Sequence, residues 1–205
     1  MVDTISIMED AASGLDRRIA DRVRELRAAH RLSLEALAAR SGVSRSMISV
    51  IERGESSPTA VVLEKLATGL DVTLASLFDP PGAAEVAGGP VARRDDQPLW
   101  RDPASGYRRR NVSPPGVPQP MQIVDVHFPA GARVAFDTGA RDMRVHQQVW
   151  VLDGAIDVTL GDELHRLQAG DCLAHVLDRP VSYHNPHRRS ARYAVVLAGL
   201  ANLRR

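Results

Sequence analysis

Apolar side chains keep two different rhythms along this chain, and the rhythm changes at Phe78. Before it, Leu15, Ile19, Val23, Leu26 and His30 follow one another at spacings of four, four, three and four, which is one stripe along a helix. Leu34, Leu37 and Ala38 make a shorter stripe, and Met47, Ile48 and Ile51 fall on one side of a third segment. Leu63, Leu66 and Leu70 predict a fourth helix, and Thr73 opens a last short one that ends in Leu77-Phe78. After Phe78 the apolar runs are brief or alternate with polar residues, at 91–93, 106–112, 121–128, 149–152, 155–160, 164–167, 172–177 and 191–197. Pro129-Ala130-Gly131, Asp153-Gly154, Leu160-Gly161-Asp162 and Ala169-Gly170-Asp171 supply turns between them. Many short strands with turns predict an all-β sandwich or barrel.

Local chemistry sharpens the helical half. Ser33 is placed to cap the second helix, Gly42 in Ser41-Gly42-Val43 suits the left-handed conformation at a helix end, and Ser44 caps the third helix. Ser57 followed by Pro58 reads as the N-cap and first residue of the fourth. Two short helices joined by so tight a turn are a helix-turn-helix. The apolar side of its second helix faces the other helices, which leaves Ser44, Arg45, Ser46, Ser49 and Val50 for the edges of bases in a major groove. Arg40 and Arg53 are candidates for phosphate contacts, and the start of the fourth helix at Ser57 and Thr59 offers backbone N–H groups to another phosphate. Arg45, in the first turn, is the best candidate for reading a guanine.

These residues, with Ile51-Glu52-Arg53-Gly54-Glu55 and Ser57-Pro58-Thr59, make 15–78 resemble the five-helix DNA-binding domain of the phage-repressor (Cro/cI, or XRE) family over about a third of the chain. The resemblance implies a double-stranded DNA operator as partner, and a structural pair between Arg27 on the first helix and Glu52 at the end of the recognition helix. Charge adds only that steering is local. Residues 15–79 hold 10 Arg plus Lys against 9 Asp plus Glu, short of the basic footprint of a tight nonspecific binder.

With 205 residues, a net charge of +1 and 44% hydrophobic residues, the chain fits one or two globular domains. No run approaches the roughly 18 to 20 apolar residues of a membrane span. The acidic start MVDTISIMEDAASG lacks the basic and apolar regions of a secretion signal, so the expected location is cytoplasmic, without a membrane partner. Cys172 has no second thiol to pair with and reads as a small buried hydrophobe. The expected organisation is a flexible tail over 1–14, a helical DNA-binding domain over 15–79, a Pro/Gly-rich linker over 80–90 and a β domain over 91–205.

The β half resembles the small single cupin, a jelly-roll barrel often joined to such a head. The residues that carry the likeness are 149–154 (VWVLDG), 158–161 (VTLG), 167–171 (LQAGD), Arg179-Pro180 and Asn185-Pro186. In metal-dependent cupins this pattern supplies two histidines, a glutamate and a further histidine. Here the corresponding positions fall near Arg141 and Met143, on Gln147 and on Val181, so no metal and no other cofactor is expected. Strand parity turns His146 and His184 away from a lumen that Gln147 and Tyr183 face, and leaves only His175 inside. Gln147, Tyr183 and His175 among Val149, Val151, Leu173 and Val181 have the makeup of a small-molecule pocket, apolar with a few orienting groups. Trp100 and Trp150 read as core or subunit-interface aromatics, and Arg108-Arg109-Arg110 as a solvated edge strand.

Together these readings predict a multidomain α + β transcriptional regulator, not an enzyme. It would be a cytoplasmic homodimer that represses at an operator and senses a small-molecule effector in its cupin. Two alternatives stay open at this point: a metallo-cupin dioxygenase or isomerase with an attached DNA-binding head, and an antitoxin-like regulator whose β domain binds a protein partner.

Overall fold

The computed structural model describes residues 4–80, 82, 89–115, 120–137 and 144–200, with side chains from 14 to 199. Most of the expected linker (81 and 83–88), and the positions Arg141 and Met143, lie outside the described residues.

Four α-helices form the amino-terminal half: α1 (Thr4–Ala29), α2 (Leu34–Ser41), α3 (Arg45–Glu52) and α4 (Ala60–Gly69). The first extends upstream of Leu15 through the segment expected as a tail, which holds no proline to stop it. The fifth helix is not an α-helix but a 3-10 turn, Leu74–Phe78, opened by the Thr73 hydroxyl accepting from Ser76 N at 3.2 Å. Pro80 explains its brevity, because the residue before a proline is driven out of helical space, and Asp79 is extended at φ −66 and ψ 146. The other caps follow the side-chain oxygens. Ser33 accepts from Ala36 N at 3.1 Å and Ser44 from Met47 N at 3.2 Å, while Gly42 closes α2 at φ 67. At α4 the cap is Thr59, not Ser57: Pro58 precedes the cap, and the Ser57 hydroxyl donates to Asp16. Met47 is 42% exposed, since the buried arc of α3 is centred on Ile48, Ile51 and Glu52.

Among the described residues, ten strands form two antiparallel sheets. They are β1 (Leu99–Arg101), β2 (Arg108–Asn111), β3 (Met121–Phe128), β4 (Arg133–Phe136), β5 (Arg144–Asp153), β6 (Ala155–Leu160), β7 (Glu163–Gln168), β8 (Cys172–Val176), β9 (Val181–His184) and β10 (Ala191–Leu200). One sheet runs β1-β2-β3-β10-β5-β8 and the other β4-β9-β6-β7, the double-sheet closure that the cupin resemblance implies. Residues 91–93 are not a strand; a 3-10 turn, Arg94–Asp96, follows them instead. Alternate residues of β5 are buried from Val145 onward, so Gln147, Val149 and Val151 face Tyr183, Val158 and their neighbours across the barrel. Gly154 turns the chain from β5 to β6 at φ 75, where an added Cβ would lie 3.1 Å from the backbone of Ser190 and Ala191.

Cys172, expected in the core, and Trp150, expected in the core or at a subunit interface, both face outward. Trp150 is 50% exposed and Cys172, its partner in the β5–β8 register, is also exposed, because both sit on the uncovered side of the six-stranded sheet. Trp100 is buried, in a run of ring contacts that joins the two halves of the molecule. Phe78, Trp100, Tyr107, Phe128, Tyr193, Tyr183 and Phe136 follow one another at centroid distances of 5.7 to 6.1 Å. That is seven of the chain's eight aromatic residues (Trp 2, Tyr 3, Phe 3).

The helical head is docked on the barrel. Asp102, buried after β1, accepts from Ala60 N at 2.9 Å and so caps α4 from the other half of the chain. Asn111 donates from Nδ2 to Ala75 O at 2.8 Å, and the Gln122 side chain meets Thr73 and Ser76. The Arg109 guanidinium lies 4.9 Å over the Phe78 ring. One continuous set of buried side chains therefore runs from Leu15 to Leu197.

Candidate nucleic-acid interface and barrel cavity

Helix α3 presents its polar side to solvent because its other side is pinned. Ile48 and Ile51 are buried, and Glu52 takes a two-point pair from Arg27, at 2.7 Å from Nε and 2.8 Å from the terminal nitrogen. Arg27 also donates to Leu32 O at 2.9 Å, tying the end of α1 to the start of the helix-turn-helix. The pair implied by the resemblance is thus a brace beneath the recognition helix.

On the open side, Arg45, Ser46, Ser49 and Val50 lie together with Arg53. Their present partners matter for recognition. Arg45 pairs with Glu35 across the turn, and both side chains are largely exposed, so the pair is weak. The Glu35 carboxyl is held below its ordinary range first by its own backbone N–H and then by Arg45. Arg53 donates to Glu55 at 2.8 and 2.7 Å and to Ser49 Oγ at 2.6 Å, which occupies two residues of the reading side. Ser44 and Ser46 hydroxyls are 3.2 Å apart. Arg40, in the last turn of α2, is exposed. Ser57 and Thr59 are engaged, with Asp16 and with Val62 N at 3.4 Å, so the start of α4 is already capped and offers less to a phosphate than its sequence suggests.

A second site lies inside the barrel mouth, a cavity of about 70 Å³ with mainly apolar walls. Of the residues expected there, Gln147, Val181 and Tyr183 line it. Val149 and Val151 do not; they are fully buried in the core. His175 stands opposite Gln147 in the β5–β8 register but lies outside the lining, with Nδ1 3.3 Å from Val176 O and Nε2 buried without a partner. Burial holds its pKa below the ordinary histidine value.

The remaining walls were not expected. Glu64 of α4, with Leu74 of the 3-10 turn and its cap Thr73, closes the cavity from the head, and Tyr107, Arg109, Phe128, Phe136 and Tyr193 are among the walls from the barrel. Arg109 is 6% exposed, in contrast to the solvated edge strand expected for 108–110, because β1 covers the edge of β2 and the head covers its inner face. One signal was available: Tyr107, Arg109 and Asn111 share a side by strand parity, and an aromatic usually marks the inner side. The Gln147 amide donates to the Tyr183 hydroxyl. Burial pushes the Tyr107 phenol up to about 12, with nearby Arg109 pulling the other way, and drives Tyr183 and Tyr193 higher, so all three stay neutral donors at physiological pH.

These groups do not suit a metal. Gln147 and Val181, the positions that the cupin resemblance assigns to a carboxylate and an imidazole, supply neither, and Gln147 donates to a tyrosine. His146 is exposed and His184 lies on the side of β9 opposite Tyr183. Among the described residues no group of three or more His, Cys, Asp or Glu could hold a metal ion.

Comparison with known proteins agrees with this geometry. The helix-turn-helix family model HTH_3 matches residues 23–77. The chain is 29% identical over 182 residues to the HTH-type transcriptional regulator SutR of Escherichia coli (strain K12), covering 87% of this chain and 93% of that protein. An HTH_3 family transcriptional regulator from Vibrio cholerae, solved by crystallography, superposes with a TM-score of 0.71 at 25% identity, over 91% of this chain and 98% of that one. The Cupin_2 domain of an XRE family regulator from Enterobacter cloacae aligns over 38% of this chain and 81% of its own at 16% identity, with a TM-score of 0.35. With α3 braced by Arg27–Glu52 and its polar side open, the chain carries a helix-turn-helix DNA-binding domain on a two-sheet β-barrel and is, like the proteins it resembles over most of its length, a transcriptional regulator.

Proposed function

We propose that the protein is a homodimeric, cytoplasmic repressor that acts without catalysis and releases or tightens on its operator when a small molecule enters the barrel cavity. The observation that carries this reading is the composition of the cavity wall. Glu64, Thr73 and Leu74 belong to the DNA-binding head, so an occupant touches the head and the barrel at once. A ligand that prefers one placement of the head changes operator affinity, and the operator changes ligand affinity by the same factor.

A pair of subunits is expected because one recognition helix reads only a few base pairs. The outer side of the six-stranded sheet supports it: Met121, Ile123 and Trp150 are exposed there, and β10 places Ala198, Val196 and Ala194 beside them. Sedimentation of the purified chain should give twice the monomer mass, reduced by Trp150→Asp.

The DNA reading is tested at Arg45. Replacing it by Ala should weaken cognate operator binding by about 1–3 kcal/mol and relax specificity at one position, with less loss on unrelated DNA at fixed salt. The melting temperature should hardly move, since Glu35 is its only partner in the described residues and both are exposed. Equal losses on both DNAs would reduce Arg45 to a phosphate contact.

The sensing reading is tested at Gln147 and Tyr183. The double change Gln147→Leu, Tyr183→Phe should abolish the response to an effector found by thermal-shift screening while leaving effector-free operator binding within about 0.5 kcal/mol. A full response in that variant would place the site elsewhere.

A further inference from the structure

We infer that the occupant of the cavity is a small organic monoanion with an apolar body, its carboxylate or equivalent oxyanion held by Arg109 at the seam between head and barrel. This rests on the effector reading above and specifies its chemistry.

Arg109 is the reason. A guanidinium cannot shed its charge, and its desolvation is costly unless acceptors surround it. Here the side chain is 6% exposed, lines the cavity, and has a Phe78 ring 4.9 Å beneath it; the Tyr107 hydroxyl is a neutral partner of the guanidinium, and the buried Nε–H has no acceptor. Nε and a terminal nitrogen together form the planar fork that meets both oxygens of a carboxylate. The other walls set the rest of the molecule. Val126, Val134, Phe136 and Val195 offer nothing polar, so the body is apolar, while the Tyr107 hydroxyl can donate close to the anion. Glu64 puts a carboxylate in the same lining and repels a second negative charge on the ligand. A cavity of about 70 Å³ is small; at about 10–15 Å³ per water it holds a few waters or one compact acid.

The site also explains how an occupant would be felt. Because Arg109 rests on Phe78, the last residue of the 3-10 turn, an anion that recentres the guanidinium alters a contact of the head directly.

The test uses the full chain carrying Trp150→Phe, so that Trp100, whose ring is 5.8 Å from that of Tyr107, is the only tryptophan. Butyrate, hexanoate, benzoate and phenylacetate are titrated at constant ionic strength, each against its own primary amide, while Trp100 fluorescence is followed. At least one acid should saturate the signal with a Kd lower than its amide's by about tenfold or more. Arg109→Gln should erase that preference and keep the amide's affinity. Arg109→Lys, which keeps a cation in the seam, should weaken the acid several-fold. If amides bind as well as acids, the pocket stands and the anion assignment falls. If neither acids nor amides bind, both fall. Should Arg109→Gln not fold by circular dichroism, the acid-to-amide ratio in the parent and the Arg109→Lys result decide.

Discussion

At the scale of single residues, periodicity told which side chains share a face but not what covers that face. Leu63, Leu66 and Leu70 are buried as their stripe requires, and Gln147 and Tyr183 meet as parity implies. Cys172 was misjudged because nothing in the chain marks the outer side of the six-stranded sheet as uncovered, and Arg109 because nothing local marks its side as covered. Asp79 is a similar case with a measurable consequence. Burial raises its pKa from 3.8 to about 6, only partly opposed by Arg22. A carboxyl whose folded value lies above its unfolded one holds its proton more tightly when folded, so stability is lost as pH rises between those two values and is level above them. Asp79→Asn should flatten that slope and raise stability at neutral pH by about 1–2 kcal/mol, after a discount for its partial exposure. Thermal melts at a series of pH values compare the two; a parent whose stability rises through this window would contradict the assignment.

At the scale of elements, helices α1 to α4 were legible from stripes and caps, and the long strands from alternation. The strands β1, β4 and β9 have three or four residues each, too few for a period to show, and they exist because neighbours pair with them. The start of α4 was misplaced for the same reason: its N-terminal amides are satisfied from a distance, by Asp102. That contact gives a prediction for the helix. Asp102 accepts from Ala60 N at 2.9 Å and from Ser105 N at 2.8 Å, so Asp102→Ala should cost about 1–2 kcal/mol and speed hydrogen exchange at the Ala60 amide. Thr59→Ala, whose bond to Val62 N is 3.4 Å long, should do less. Unchanged exchange in Asp102→Ala would mean the cap is idle.

For the molecule as a whole, two folding patterns could be told apart in the sequence, but their union could not, because contacts between distant elements leave no local trace. The buried set that spans Leu15 to Leu197 makes head and barrel one cooperative body. Calorimetry should therefore show a single unfolding transition, and a fragment ending at Asp79 should melt well below it, since Leu74 and Phe78 would be stripped of Tyr107, Trp100 and Arg109. Two resolved transitions would break this account. The same joint bears on the ruler by which a paired regulator measures DNA. With α4 capped by Asp102, Asn111 on Ala75 and Phe78 wedged against Trp100, the heads do not hang from tethers. In the dimer proposed above, the span between two recognition helices would be fixed by how the barrels pair, so inserting glycine and serine between residues 83 and 88 should leave the preferred half-site spacing where it was, whereas a change on the outer sheet face should shift it.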